Sequence, residues 1–464
     1  MTRLLTATSA ALIAVSVLAL AGCAGQGQAQ PIASRTASAG VGPVDATSSP
    51  EVVVSAAPTT AMTAGVPLYL VDTNTNNLLG ETLPTGLLSG VKGTIPGAEI
   101  SSQFKEQLLA IDPTLQNFSY AAEAYDAVIL AALAAAAAGT DAGVEMAKQL
   151  VPITQGTEAC TDFAGCVALL QTGASIDYNG RSGTIDFSPA GDPTRASIGV
   201  YQFGPDNKLL PDVTYEQGEI QPSGKANPID GVVQKGADDG VFTVATFLPT
   251  SGSLSFLGPA EVAGVKLAIA DIEAAGGIPG IDSIVLYEGD SGDTSTDTGQ
   301  LTLKSLLPRK PDVLIGAASS SSTLSVLDKV TGSGILMISP ANTLPSLSTA
   351  RDHGLFWRTA PSDVLEGAFL GSVVLRDGHT KVAILARDDV YGDSLRANVA
   401  QVVNEGGGEV VANITYDPES NDFAAQAARI KAAQPDAIVL IGAYESGQII
   451  TELVKQGIGP NSAG

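Results

Sequence analysis

The sequence predicts an α/β protein of two doubly wound parallel-sheet lobes joined by a three-segment hinge. Two observations carry that prediction. From Val241 onward, short apolar runs alternate with longer amphipathic stretches, the pattern of parallel strands covered by helices on both faces. The alternation breaks around Arg358–Asp363 and then restarts, so it describes two lobes rather than one. Composition agrees: 464 residues with 44% hydrophobic and 16% charged content make a globular chain large enough for more than one core.

In the first run, strand Val241–Leu248 leads to a helix from about Gly258 to Ala275, with Val262, Val265, Ile269 and Ile272 on one face. Strand Ser283–Tyr287, a helix near Thr298–Leu307, strand Asp312–Gly316, a helix near Thr323–Thr331 and strand Ile335–Ser339 follow. Leu365, Phe369 and Val373, at helical spacing, open the second run. It continues through strand Lys381–Ala386, helix Asp393–Asn404, strand Glu409–Tyr416, helix Asp422–Ala433 and strand Ala437–Ile441. Helix Ser446–Gln456 ends at Gly457, because glycine takes the left-handed turn cheaply. Upstream, strand Pro67–Val71 stands with no helix before it. An amphipathic helix near Ser101–Ala110, the Ala-rich helix Tyr120–Ala138 and hairpin-like strands around Gly183–Phe187 and Ala196–Phe203 complete that block.

The N-terminus reads as an export signal over residues 1–22, with Arg3 as its positive end and Leu4–Leu20 as its apolar core. Leu20-Ala21-Gly22-Cys23 resembles a bacterial lipobox, in which Cys23 receives lipid and becomes the new N-terminus. The alternative is an uncleaved membrane anchor, but the apolar run is shorter than the roughly 20 residues a spanning helix needs. Cleavage removes Arg3 and no acid, taking the formal charge of −24 to −25. Residues 23–64, rich in Ala, Ser, Thr, Gly and Pro, read as a flexible tether, and residues 221–240 as a linker between structured blocks. With Cys23 lipidated, Cys160 and Cys166 remain, and an exported pair so close in sequence most simply forms one disulfide.

Several functions are excluded or disfavoured. The negative charge speaks against nucleic acid, whose phosphates need many Lys and Arg. Two histidines, His353 and His379, exclude a multi-His metal site, and no cofactor motif is present. The acidic loop EGDSGDTSTDTG (288–299) lacks the spacing and terminal Glu of an EF-hand and reads as a helix entry with Asp297 as cap. There is no G-x-S-x-G, so an exported hydrolase has no evident nucleophile.

Six stretches carry a specific resemblance: TFLPTSGSLSFLGPAEVAGVKLAIADIEAAGGIPG (246–280), DVLIGAASSSSTLSV (312–326), LMISPANTLPSL (336–347), FWRTAPSD (356–363), VAILARDDVYGDSL (382–395) and DAIVLIGAYESGQII (436–450). Together they resemble the branched-chain amino-acid-binding proteins of ABC importers, which are type I periplasmic-type solute-binding proteins. In that family a strand follows the last of these stretches, and PLYLVDTNTNNLLG (67–80) is similar to that continuation. Residues 92–203, with YAAEAYDAVILAALA (120–134), resemble the family's closing third. The family's first part therefore stands last here, and the expected fold is circularly permuted, with residues 221–240 joining the old ends. On that reading, residues 65–96, 184–220 and 362–464 form one lobe, and 97–183 and 241–361 the other. The hinge crossings fall near Arg358–Asp363, Val91–Ala98 and Asp177–Asp186.

The resemblance also implies a site. The serine turn with Ser319, Ser320 and Ser321 leads from a strand into a helix, where free N–H groups suit a carboxylate, although plain N-capping explains it too. Ala341 and Thr343 match positions that bind the ligand's carboxylate and ammonium. Tyr391 and Tyr444 resemble ligand-covering aromatics, Asp72 is the expected ammonium partner, and Phe256 and Tyr125 are candidate pocket walls. The implied protein is a monomeric, lipid-anchored receptor on the extracytoplasmic face of the bacterial membrane. It would capture a branched-chain or related amino acid and deliver it to an ABC permease without converting it. The alternatives are a receptor or sensor for another small polar solute such as an amide, an exported hydrolase, or a rearranged gene product without a working site.

Overall fold

The computed structural model describes residues 65–219, 229, 236–293 and 295–461, all within the compact unit Thr60–Gly464. The signal 1–22, Cys23, the tether up to residue 64 and most of the linker 221–240 lie outside the described residues.

Strands are numbered in chain order. One lobe is built on a five-stranded parallel sheet, β12 (Phe356–Arg358), β11 (Leu336–Ser339), β10 (Val313–Gly316), β8 (Val241–Phe247) and β9 (Ser283–Tyr287), in that spatial order. The chain runs outward from β8 to β9, then returns past β8 to β10. The sheet is thus doubly wound, with its topological switch between β8 and β10. The other lobe carries seven strands: β14 (Glu409–Tyr416), β13 (Lys381–Arg387), β15 (Ala437–Ile441), β1 (Leu68–Leu70), β2 (Lys92–Pro96), β6 (Arg195–Gln202) and β7 (Thr214–Glu219). Its first five strands are parallel, with the switch between β13 and β15, while β6 and β7 add antiparallel.

The orphan strand near the N-terminus has its neighbour. Leu68, Tyr69 and Leu70 of β1 pair in parallel register with Ile438, Val439 and Leu440 of β15. All of these residues are buried, so the seam is part of one core.

The Ala-rich helix Ala121–Ala138 is buried on nearly every side and packs along the helix Gly258–Ala274. The two backbones approach closely because Gly264 has no side chain: a Cβ there would lie 2.2 Å from the Ala121 carbonyl oxygen. Alanine's high helix propensity forms the helix, and Gly139 ends it at φ +69°. Among the described residues it is the one helix long and apolar enough to cross a membrane, and 83% of that window is buried inside the protein. A small sheet of β3 (Glu158–Cys160), β4 (Ile176–Gly180) and β5 (Gly183–Thr184) packs into the same core. The Cys160–Cys166 disulfide ties β3 to the helix Phe163–Gln171.

The chain passes between the two large sheets at residues 97–101, 185–194 and 359–362. This corrects two sequence expectations. Val91–Ala98 is mostly strand β2, and Asp177–Asp186 is mostly β4 and β5, so the crossings begin later. Gly183–Phe187 and Ala196–Phe203 are not hairpin partners. The former pairs with β4, whereas β6 lies between β2 and β7. The helix expected from Thr323 starts at Ser320, because Ser319 takes the N-cap.

Candidate functional site

In doubly wound sheets ligands sit beyond the carboxyl ends of the strands, at the switch points. Both lobes point those ends at one cavity. Ser253, Leu254 and Leu257 follow β8, Ser319–Ser321 follow β10, and Ala341 and Thr343 follow β11; from the other lobe, Asp72 and Thr73 follow β1, and Asp389 and Tyr391 follow β13. Tyr120, Asp293, Ala318 and Arg387 complete the lining of a cavity of about 60 Å³, room for a few water molecules.

One side offers hydrogen-bond donors. Ser319 caps the twelve-residue helix Ser320–Thr331, its Oγ accepting from the Ser322 amide at 3.4 Å. The helix start thus presents N–H groups and a partial positive charge to the cavity. The turn after β11 is held in shape from below. Ser339 Oγ donates to the Ala317 carbonyl at 2.7 Å and accepts from the Asn342 amide, while Asn342 Nδ2 donates to the Ala318 carbonyl at 2.7 Å. Arg358, fully buried, grips the same turn: Nη1 donates to the carbonyls of Asn342 and Leu344, Nη2 to Ser348, and Nε to Asp192 at 2.7 Å. The Thr343 hydroxyl is buried beside the Asp363 carboxyl.

The opposite side is acidic. Asp72 accepts from the Tyr391 hydroxyl at 2.6 Å and from the Tyr120 hydroxyl, and its backbone N–H donates to Glu366 Oε1 at 3.3 Å. Thr94 donates to the same Glu366 oxygen at 3.1 Å, leaving Oε2 unpartnered. Asp363 joins the group through its amide, which donates to the Thr343 carbonyl at 2.7 Å; its carboxyl is buried beside the Thr343 and Ser394 hydroxyls. Burial pushes all three carboxyls up, against the hydroxyl and amide groups beside them. The nearby Asp72 charge adds to the rise at both Asp363, which reaches about 7, and Glu366. Burial, followed by the field of Asp72, likewise keeps the Tyr120 and Tyr391 hydroxyls protonated as donors. Asp72 lines the cavity, with Asp363 and Glu366 behind it; the Arg358 charge acts on Asp363, and the group as a whole is acidic and suits a positive charge.

At the mouth, Arg387 Nε bonds Asp389 at 2.5 Å. The Asp293 carboxylate, held low against burial by the Ser295 hydroxyl, the Ser253 and Ser295 amides and lastly the Arg387 charge, braces the loop after β8 by accepting from the Ser253 amide at 2.9 Å. Asp297 stands at the helix start expected of it, but its side chain makes no cap bond.

A model of the periplasmic binding protein family matches residues 241–462. Over that stretch, just under half of the chain, the sequence is similar to the periplasmic binding proteins. The Leu/Ile/Val/Thr-binding protein of Salmonella typhimurium (strain LT2) is 32% identical over 225 residues, covering 48% of this chain and 60% of the relative. The leucine-specific-binding protein of the same strain is 30% identical over 239 residues, covering 50% and 64%. A solved branched-chain amino acid transporter substrate-binding protein from Streptococcus pneumoniae, in complex with isoleucine, is 27% identical; 47% of this chain and 62% of that one are covered, with a TM-score of 0.42. The chain thus spans about three-fifths of the length of these relatives.

Within residues 241–462, Ser319, Ser320, Ser321, Ala341, Thr343 and Tyr391 line the cavity. Asp72 lines it too, from outside that stretch. Three expected residues do not. Tyr125 points into the core, where its hydroxyl donates to Asp271 at 2.7 Å and its ring meets Phe104 edge-on. Phe256 packs against the buried cluster of Tyr120, Leu257, Ala318, Ala341 and Ala360 behind the wall rather than on it. Tyr444 stands on the surface, 61% exposed. Sequence reasoning missed Tyr120, Asp363, Glu366, Arg358 and Arg387. Four of them lie in stretches that carried the resemblance, Tyr120 in YAAEAYDAVILAALA, Arg358 and Asp363 in FWRTAPSD and Arg387 in VAILARDDVYGDSL, while Glu366 lies in none.

Proposed function

We propose that this protein is an extracytoplasmic receptor for a branched-chain or related amino acid, held at the membrane through Cys23 and serving an ABC import permease. Asp72, backed by Asp363 and Glu366 and standing across the cavity from a donor-rich helix start, supports this reading most strongly. An α-amino acid carries an ammonium and a carboxylate one carbon apart, and the cavity offers groups of both required signs on its two sides. In the proposed complex the carboxylate takes the amides and hydroxyls of Ser319–Ser321 and Thr343. The ammonium takes Asp72 and Asp363, and the Ala341 carbonyl. Tyr391 and Tyr120 orient Asp72 through their hydroxyls.

The empty cavity is small, so a ligand enters with the lobes apart and is enclosed when they meet. Binding energy stabilises the closed form, the form such a permease would recognise. No step breaks a bond, and the reading is of a binding protein rather than an enzyme. The names of the relatives, which bind leucine, isoleucine, valine or threonine, favour the same ligand class. Residues 65–220 are read as the family's closing part in circularly permuted order, with the β15–β1 pairing in support.

Calorimetric titration of the mature chain with leucine, isoleucine, valine and simple amides tests this. Saturable binding of at least one of the three amino acids is expected. Binding of amides alone points to the other solute class, and turnover of an ester or peptide substrate overturns the receptor reading.

A further inference from the structure

Tyr120 lines a second, larger cavity of about 570 Å³, within the range of small-molecule sites. Its walls come from the end of β2 and the crossing after it, the loop before Tyr120, and Tyr201 and Tyr215 on β6 and β7. Glu123 is only 3% exposed, yet it lines this space. Among the described residues no other residue hydrogen-bonds its carboxyl, which burial pushes up to about 8. The backbone makes room for it: at Gly97, with φ +117°, a Cβ would lie 2.5 Å from Glu123 Oε1.

Two further polar atoms of the walls are unpartnered, the fully buried Thr75 Oγ1 and the Asn117 Nδ2 donor. Tyr201 and Tyr215 pack edge to face with their hydroxyls 3.1 Å apart, and the charges of Glu99 and Glu123 both act on them. Glu99, Glu123 and Asp212 outnumber the single cation on the walls, Lys105, whose ammonium sits 6.0 Å from the Phe118 ring centre.

We propose that this cavity is a second ligand site that takes a small organic ammonium bearing an oxygen acceptor. Glu123 is its counter-ion, the two tyrosine rings its walls, and Asn117 the donor to its oxygen. Aromatic rings beside a buried carboxylate stabilise such cations through the ring quadrupole and by direct charge. The site shares only Tyr120 with the proposed amino-acid site and does not rest on it.

Choline and ethanolamine are the probes, titrated calorimetrically into the mature chain with and without saturating leucine. Binding of at least one probe is expected whether or not leucine is present. Glu123→Gln is expected to weaken it about tenfold or more and Tyr215→Ala to weaken it also, while Asp72→Asn leaves it unchanged. At pH 7 the heat is expected to vary with the buffer's ionisation enthalpy, because Glu123 releases its proton to the buffer. Silence with both probes, undiminished binding in a folded Glu123→Gln, or loss of binding in Asp72→Asn overturns the proposal. The last result would place the probe in the amino-acid site.

Discussion

Arg358 donates from Nε to Asp192 at 2.7 Å, and this buried pair fastens two of the three passages between the lobes while Arg358 also holds the turn at Ala341–Leu344. Removing one member of such a pair leaves the other charge uncompensated, at a cost of about 3–5 kcal/mol. Asp192→Ala is therefore expected to lower unfolding stability by about that amount in urea titration. It should weaken amino-acid binding as well, because the turn loses its support. A change within about 0.5 kcal/mol would contradict the role assigned to the pair.

The acidic trio predicts which substitutions matter for binding. Asp72→Asn and Asp363→Asn each remove a charge set to meet the ammonium, and each is expected to weaken leucine by about 30-fold or more. Tyr125→Phe and Tyr444→Ala, outside the cavity, are expected to leave affinity unchanged. Calorimetry on the four variants reads both sets.

Binding is also expected to depend on pH. Burial raises the carboxyls of the trio, Asp363 to about 7, so the empty site holds protons that an ammonium must displace. Affinity should therefore weaken as pH falls through about 7, by up to about tenfold per unit for each proton displaced. A flat profile between pH 5 and 8 would argue that the trio does not meet the cation.

Stability of the empty protein should run the other way. Glu123, Glu261 and Asp312 are pushed by burial to about 8, and both Glu261 oxygens are buried without partners. Their folded-state values exceed the ordinary ones, so the folded form holds more protons, and stability present at pH 4–5 is lost as pH rises towards 8. Glu261→Gln removes one such group. It is expected to raise the melting temperature at pH 8 and to change it little at pH 5.

The pairing of β1 with β15 makes a rearranged chain testable. A chain running from residue 236 to 461 and then from 65 to 219 keeps every strand pair. It is expected to fold and to bind as the natural order does. A chain that stays unfolded by circular dichroism would contradict the permuted reading.

The parallel strands were legible because residues buried on both faces are uniformly apolar: AIVLI at 437–441 and VLIG at 313–316 need no context. KGTIP and TYEQGE, at β2 and β7, carry no such run, and their strand character comes from pairing with β6. Tyr125, named as a pocket wall, lies in the core instead for a related reason. A helix buried all round shows no amphipathic face to separate core from cavity. Asp363 and Glu366 looked like ordinary acids in the first turn of a helix, and what gives them another meaning is Asp72, which bonds Glu366 across 294 residues of sequence. The cavity's donor side was readable because its serines and threonine follow strand ends directly, within single unbroken motifs.

The central claim is that the cavity recognises an ammonium and a carboxylate together. Leucine and 4-methylpentanoate, the same molecule without its ammonium, titrated into the same preparation at pH 7.5, test it most directly. Saturable binding of leucine with no measurable binding of the acid is predicted; equal binding of the two, or binding of the acid alone, would contradict it.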